Sequence, residues 1–198
     1  MRTLPLSLAG GWLAGCDRFM PATPATAFQA VDITGAEYAR DFALPDASTG
    51  RVRTLADFKG KVVVVFFGFT QCPDVCPSTM AELAQVKTAL GKDGERIQGI
   101  LISIDPERDT SEILKTYMTG FDPSFVALRG NPAQTTATAK EFKVFYAKVP
   151  GKTEGGYTMD HTAGSYVFDA QGKVRLFVRY GSGPQALLAD LKVLLTAG

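Results

Sequence analysis

The sequence predicts an α/β domain in which helices flank a central mixed β-sheet. Two continuous apolar runs, residues 61–69 and 97–104, are rich in β-branched side chains, and each precedes a segment of helical spacing. Such runs are typical of strands that are buried on both faces of a sheet. The C-terminal part instead predicts a β-hairpin followed by an amphipathic helix. With 198 residues, 45% of them hydrophobic, the chain can form one packed domain and additional N-terminal segments.

Strands and helices alternate through the first part of this domain. Residues 77–90 carry apolar side chains near helical spacing, and Pro77 suits the first turn of a helix. Residues 110–118 predict a second helix, which Thr110 or Ser111 can cap. The remaining predicted elements of this part are a short strand over residues 125–128, a helix over residues 132–142 and a strand over residues 144–149.

The C-terminal part completes the predicted topology. Residues 165–168 and 173–180 have strand character, and the turn sequence between them ends in Gly172, which together predict a β-hairpin. Residues 185–195 predict a last amphipathic helix. A β-α-β unit followed by a β-β-α unit is the order of a thioredoxin-like fold. We therefore predict that fold for residues 41–198.

The N-terminus predicts a lipoprotein-type signal over residues 1–16. Arg2 is followed by an apolar stretch about half as long as the ~20 residues that a membrane span needs. Small residues precede Cys16, as in a bacterial lipoprotein cleavage site, where the cysteine thiol receives diacylglycerol. Residues 17–40, rich in alanine and threonine, predict a flexible tether. An ordinary cleaved signal with an incidental cysteine is the alternative.

Charge and cysteine use narrow the classes of function. The formal net charge is +1 and charges of both signs are scattered, which argues against nucleic acid as a partner. The three cysteines are too few for a disulfide-stapled secreted scaffold. Cys16 stands alone near the N-terminus, whereas Cys72 and Cys76 form a close pair. The pair and the single histidine, His161, are therefore the candidates for chemistry.

The cysteine pair lies between a predicted buried strand and a predicted helix, where open α/β sheets form their sites. The positive end of the helix dipole predicts a lowered thiol pKa. Both sulfurs can bind one metal ion or form a disulfide, and the pair alone does not decide between these outcomes. In a thioredoxin-like fold the loop before the hairpin, which carries His161, lies beside the cysteine loop. Two thiolates and an imidazole suit Cu(I), and Cu(II) fits if water fills a fourth position, whereas structural zinc usually takes four protein ligands.

Three motifs resemble those of the Sco (SenC) family of copper proteins. They are the cysteine loop, residues 67–77, the segment 102–110, and Asp160-His161-Thr162. The likeness extends over about residues 42–195, nearly all of the predicted domain. The sequence departs from the family at Gln71, where relatives often have histidine, and in its short signal, because many members have a transmembrane anchor.

The resemblance implies a thioredoxin-like metallochaperone rather than a dedicated enzyme. It implies that Cys72, Cys76 and His161 bind copper, as Cu(I) or Cu(II), for delivery to the binuclear copper site of cytochrome c oxidase. The implied partners are the copper-site subunit of the oxidase, other copper chaperones and a thioredoxin-like reductant. A lipidated Cys16 followed by Asp17, which resembles an inner-membrane retention signal, predicts the periplasmic side of the bacterial inner membrane.

A thiol–disulfide oxidoreductase is the alternative function, with Cys72 and Cys76 as a redox-active pair that forms a disulfide when oxidised. Against it, the spacing is not Cys-x-x-Cys, and such an enzyme has no need of His161. A peroxiredoxin-like peroxidase fits less well, because Phe69 stands where that family has threonine.

For the residues around the motifs, the sequence leaves more than one role open. The segment 105–109 is expected at the same sheet edge as the cysteine loop, where it either docks a partner or forms an ion-pair network around Arg108. Asp160 either orients the imidazole of His161 or faces a partner. Met159 is a soft potential ligand, although packing is its expected role.

Overall fold

The computed structural model describes residues 28–151 and 155–197. Within these ranges the strands are β1 Val31–Asp32, β2 Leu44–Pro45, β3 Val52–Arg53, β4 Val62–Gly68, β5 Ile97–Ser103, β6 Val126–Leu128, β7 Tyr146–Pro150, β8 Tyr157–His161, β9 Gly164–Phe168 and β10 Val174–Arg179. The α-helices are α1 Val75–Ala89, α2 Ser111–Thr119, α3 Pro132–Glu141 and α4 Pro184–Thr196, with short 3-10 helices at Leu55–Phe58 and Gly91–Arg96.

Six strands form the central sheet in the order β1-β10-β9-β4-β5-β6. Strands β4, β5 and β6 run parallel to one another, whereas β9 pairs antiparallel with β4 and β10 antiparallel with β9. The C-terminal hairpin therefore extends the parallel part of the sheet on one side. This arrangement confirms the predicted mixed α/β class and brings the carboxyl ends of β4 and β5 to one edge.

Both faces of β4 are covered, which explains why all seven of its residues are buried. Helices α1 and α4 contact each other and pack against β5 and β4 respectively. Successive side chains of a strand point to opposite faces. Phe67 packs on the ring of Phe142, just after α3, with 5.1 Å between ring centroids.

The packed domain begins earlier than the predicted boundary at residue 41. Strand β1 pairs with β10 at the edge of the central sheet. The buried carboxylate of Asp190 on α4 accepts hydrogen bonds from the backbone N–H groups of Gln29 and Ala30, each at 2.8 Å. These bonds hold the end of the predicted tether, residues 28–40, against the domain. The predicted signal, Cys16 and residues 17–27 lie outside the described residues.

The ribbon formed by β7 and β8 differs most from the sequence prediction. His161, expected in a loop, is the last residue of β8 and lies opposite Tyr146 of β7. Period-2 alternation did not indicate β8, because Met159 is its one fully buried residue. Among the described residues, no helix is both long and apolar enough to cross a membrane.

Candidate metal centre

The cysteine loop connects β4 to α1 at the carboxyl edge of the parallel strands. Helix α1 begins at Val75, so Cys76 lies in its first turn and is fully buried, while Cys72 in the loop is half-buried. Asp74, at the N-cap position, makes no capping hydrogen bond with its side chain. The backbone N–H of Cys76 instead donates to the Cys72 sulfur at 3.4 Å. The Cys72 sulfur thus accepts a hydrogen bond from the first turn of α1, as a side-chain cap would.

The imidazole of His161 faces the same sulfurs from the end of β8. Its Nδ1 lies 3.0 Å from the carbonyl oxygen of Thr162. Because a carbonyl can only accept, Nδ1 carries the proton and Nε2 keeps its lone pair. Nε2 lies 3.8 Å from the Cys76 sulfur. The imidazole makes T-shaped contacts with the rings of Phe66 and Phe69, at centroid distances of 5.9 and 6.0 Å respectively.

Two thiol sulfurs and one imidazole nitrogen therefore converge. The ligand atoms of Cys72, Cys76 and His161 all lie within 4.8 Å of one another. Among residues 28–151 and 155–197, these three residues form the one group of histidine, cysteine or acidic side chains that lie close enough together to hold a metal ion. The structure thus brings together all three candidate ligands in the described domain.

Gly68, the last residue of β4, leaves the space that the buried sulfur occupies. A Cβ atom at this position would lie 3.0 Å from the Cys76 sulfur and 2.7 Å from the ring of Phe66. Both distances are shorter than ordinary van der Waals contact. Sequence alone does not single out Gly68, because a glycine at the end of a strand has no pattern that reveals what packs over it.

Burial sets the charge states of the site, and it reverses the predicted effect of the helix dipole. The pKa of Cys76 is raised, chiefly because burial removes the solvation of its thiolate, although a hydrogen bond from the backbone of Phe69 opposes the shift. The prediction of a lowered thiol pKa is therefore wrong for Cys76. Burial also lowers the pKa of His161. The copper-free site thus favours a neutral thiol at Cys76 beside a neutral imidazole.

A polar network connects the cysteine loop to the loop after β5. The buried carboxylate of Asp109 accepts hydrogen bonds from the backbone N–H and hydroxyl of Thr70, at 3.1 and 2.6 Å, and from the hydroxyl of Ser103, at 2.6 Å. Burial raises the pKa of Asp109, against the effect of these donors. Segment 105–109 lies at the same sheet edge as the cysteine loop, as predicted.

Arg108 extends this network to the ribbon that carries His161. Its guanidinium pairs with Asp105 and donates to the side-chain oxygen of Gln71 at 3.0 Å and to the backbone oxygen of Tyr157 at 2.7 Å. The guanidinium also stacks 3.6 Å from the centroid of the Tyr157 ring, whose hydroxyl donates to Asp105. The ion-pair network considered for Arg108 is therefore present. Tyr157 was missed, because its role depends on a strand that the sequence did not indicate.

Asp160 and Met159, the two residues before His161, differ in exposure. Asp160 is exposed and lies opposite Ala147 on the ribbon, and the imidazole proton is instead accepted by the carbonyl of Thr162. A backbone carbonyl orients the ring, which sequence alone could not reveal. Met159 is buried in the hydrophobic core, in agreement with its expected packing role.

The chain resembles a set of related proteins over most of its length. A family model described as SCO1/SenC matches residues 31–196. An SCO2-like protein of Rickettsia felis is 37% identical over 153 residues, which cover 77% of this chain and 74% of the relative. The copper-bound structure of ScoI from Bradyrhizobium japonicum is 40% identical, with a TM-score of 0.71, and the match covers 80% of this chain and 99% of that one. Apo Sco1 from Thermus thermophilus is 36% identical, with a TM-score of 0.75, over 85% of this chain and 97% of that one.

Proposed function

Because this chain belongs to the SCO1/SenC family, we propose that it binds copper and delivers it to the binuclear copper site of cytochrome c oxidase. The proposed ligands are the sulfurs of Cys72 and Cys76 and Nε2 of His161. The observation that carries the proposal is the convergence of these three atoms within 4.8 Å. The copper-bound structure of the ScoI relative from Bradyrhizobium japonicum supports copper as the ion.

The donor set suits copper better than the common alternatives. Thiolates and an imidazole are soft or intermediate ligands, and a low-coordinate site of this kind favours Cu(I). Structural zinc would take a fourth protein ligand. Within the described residues no other cysteine, histidine or acidic group joins the three. Cu(II) fits this donor set when water or a partner group supplies another ligand.

Copper binding here is coupled to proton release. A thiolate, not a thiol, is the ligand, and burial raises the pKa of Cys76. Copper must therefore displace the proton of Cys76, and its apparent affinity should increase with pH. His161 needs no such step, because burial lowers its pKa and leaves the imidazole neutral.

Copper uptake tests the proposal directly. We use the full chain with Cys16→Ser, so that Cys72 and Cys76 are the remaining thiols. The reduced protein should bind one copper ion per chain, measured by metal analysis after gel filtration. Oxidation of the pair should abolish uptake, because a disulfide sulfur is a poor ligand. Equal stoichiometry in the two forms would exclude the proposed site.

A thiol–disulfide oxidoreductase is the second candidate, since the two cysteine sulfurs lie within 4.8 Å of each other. His161→Ala distinguishes the two functions. The variant should lose Cu(II) to a competing chelator while the reduction potential of the cysteine pair stays unchanged, because exchange depends on the thiols alone. A cell with this variant should show the oxidase defect of a deletion strain if copper binding is the working function. Normal oxidase activity would favour the oxidoreductase.

We place the working protein on the periplasmic side of the inner membrane, anchored by lipid at Cys16. Lipidation of Cys16 would fix the chain at a surface that the copper-site subunit of the oxidase shares. In cells, Cys16→Ser should move the protein from the membrane fraction to the periplasmic extract. If the variant still sediments with membranes after a salt wash, another segment anchors it.

A further inference from the structure

The β7–β8 ribbon, which carries His161, pairs with no other strand in the part of the chain that the structure describes. A lone two-stranded ribbon is at best marginally stable in water, so its place depends on contacts with the rest of the domain. No residue of β7 is fully buried, and Met159 is the one buried residue of β8. Alternate side chains of a strand share one side, and on β8 Tyr157, Met159 and His161 contact the domain. The contacts of Tyr157 and Met159 therefore decide where the imidazole lies.

Arg108 joins Tyr157 to the cysteine loop. Nη1 of its guanidinium donates to the side-chain oxygen of Gln71 at 3.0 Å and to the backbone oxygen of Tyr157 at 2.7 Å. The guanidinium also lies 3.6 Å from the centroid of the Tyr157 ring. Gln71 precedes Cys72, and Tyr157 begins the strand that ends at His161. A single side chain thus connects the two segments that carry the proposed ligands.

Asp105 fixes the guanidinium in this position. Its side chain is 1% exposed, and one carboxylate oxygen pairs with Nε of Arg108. The other carboxylate oxygen accepts a hydrogen bond from the hydroxyl of Tyr157 at 2.8 Å. A planar guanidinium can pair with a carboxylate, donate to further oxygens and stack on a ring at the same time. Lysine in its place would keep the charge beside Asp105 but could not make all of these contacts together.

The cysteine loop has attachments that do not involve Arg108. The backbone N–H and hydroxyl of Thr70 donate to the carboxylate of Asp109, at 3.1 and 2.6 Å. The backbone N–H of Cys76 donates to the sulfur of Cys72. These hydrogen bonds remain when Arg108 is replaced, so the two cysteines should keep their positions.

The ribbon has a second ionic contact, which is more exposed. Nζ of Lys148 on β7 lies 2.7 Å from the carboxylate of Glu107, and the two side chains are 48% and 59% exposed. Such pairs contribute little, because water screens the charges. The side chain of Arg108 is only 20% exposed, so its contacts are screened less. Replacement of Arg108 should therefore displace the ribbon more than the cysteine loop.

We propose that Arg108 is a positioning residue of the copper site, which holds the β7–β8 ribbon where Nε2 of His161 meets the two cysteine sulfurs. The inference rests on the copper binding proposed above. Arg108 contacts none of the three ligand side chains in this role, and its effect on copper affinity acts through the place of His161. Replacement of a residue that orients a metal ligand typically lowers metal affinity by about 10–100-fold. Arg108→Lys should therefore weaken copper binding without removing a ligand.

The Cu(I) affinity of four chains tests this role. All four carry Cys16→Ser; one has no further change, and the others carry Arg108→Lys, His161→Ala or both. Competition with a Cu(I) chelator gives the affinity, and two thiolates keep it measurable without the imidazole. Arg108→Lys should weaken binding about tenfold when His161 is present and less than about twofold in the His161→Ala chain. Equal losses in both backgrounds would overturn the proposal, because Arg108 would then act on the cysteines or on the whole fold.

Two measurements on the copper-free protein separate positioning from a general loss of stability. Amide exchange in β7 and β8 should accelerate in Arg108→Lys, while exchange in β4 and β5 stays the same. The reduction potential of the Cys72–Cys76 pair should also stay the same, because the contacts of Thr70 still hold the cysteine loop. Unchanged exchange in the ribbon, faster exchange throughout the domain or a shifted potential would each contradict the proposal.

Lys148→Met is the matched control, since it removes the exposed ion pair of the same ribbon and leaves Arg108 in place. It should leave the Cu(I) affinity unchanged. A loss equal to that of Arg108→Lys would refute a specific role of Arg108, because any ionic contact of the ribbon would then have the same effect. Normal copper uptake with unchanged affinity in Arg108→Lys overturns the role of Arg108 and leaves the copper site intact. A Cys16→Ser chain that takes up no copper overturns both proposals.

Discussion

At the scale of single residues, His161 is prepared for binding before any ion arrives. The carbonyl of Thr162 accepts from Nδ1 and so leaves Nε2 free toward the Cys76 sulfur. Burial lowers the pKa of His161, which keeps the ring neutral in mildly acidic solution. The histidine was identifiable from the sequence because it is the only one. Its tautomer was not, since it depends on a backbone group.

The lowered pKa of His161 predicts how stability depends on pH. In mildly acidic solution the unfolded chain binds a proton at this ring more readily than the folded chain does. The stability contributed by the neutral ring is therefore complete above its ordinary pKa of 6.5 and is lost as pH falls through the folded value. The slope from one such group is at most about 1.4 kcal/mol per pH unit.

Urea unfolding of the copper-free, reduced chain between pH 7.5 and 5 measures this effect. His161→Gln is the matched variant, because it removes the one imidazole of the chain. The difference in free energy of unfolding between wild type and variant should move in favour of the variant as pH falls. A constant difference across this range would show that the imidazole titrates equally in the folded and unfolded states.

At the scale of elements, short strands and single polar side chains fix the segments of the chain that lie outside the longer strands and helices. We call these side chains anchors. Asp190 is the clearest case, because its buried carboxylate fixes the segment before β1 to α4. Arg108 similarly joins the cysteine loop to the β7–β8 ribbon. Each anchor links parts of the chain that are distant in sequence.

Asp190→Ala should release the N-terminal segment while leaving the metal centre intact. Two hydrogen bonds to a carboxylate are lost, so the free energy of unfolding should fall by about 2–3 kcal/mol. Amide exchange should accelerate at Gln29, Ala30 and β1. Asp93→Ala, at an exposed and weakly paired aspartate, is the control and should change neither quantity. Unchanged exchange at β1 in Asp190→Ala would mean that pairing with β10 alone holds the segment.

The elements that sequence predicted well share a physical property. Strands β4 and β5 are continuous apolar runs, and the amphipathic α4 has one apolar face, so burial is visible in their composition. Strand β1 has two residues, and the tether prediction therefore extended over it. Strand β8 buries a single residue fully. Such strands form because of a partner strand, and local periodicity does not reveal that partner.

At the scale of the whole molecule, the site is a product of topology. Parallel pairing of β4 and β5 brings the cysteine loop and the loop after β5, which carries Asp109, to one edge of the sheet. The β7–β8 ribbon then delivers His161 to that edge. The residue types of the site could be predicted, since three motifs carry them. The pKa of Cys76 could not, because it depends on how deeply the packed domain buries the sulfur.

Cys76 and His161 are 85 residues apart, and this separation has a consequence in polymer terms. An ion that joins them closes a large loop and removes about 4–5 kcal/mol of conformational entropy from the unfolded chain, against about 2 kcal/mol for the short loop between Cys72 and Cys76. Copper should therefore raise the urea midpoint more than disulfide formation does, and His161→Ala should remove most of that advantage. Equal gains from copper and disulfide would contradict this. Each delivery of copper would thus return a less stable, more readily unfolded molecule, whose lifetime depends on how soon it is loaded again.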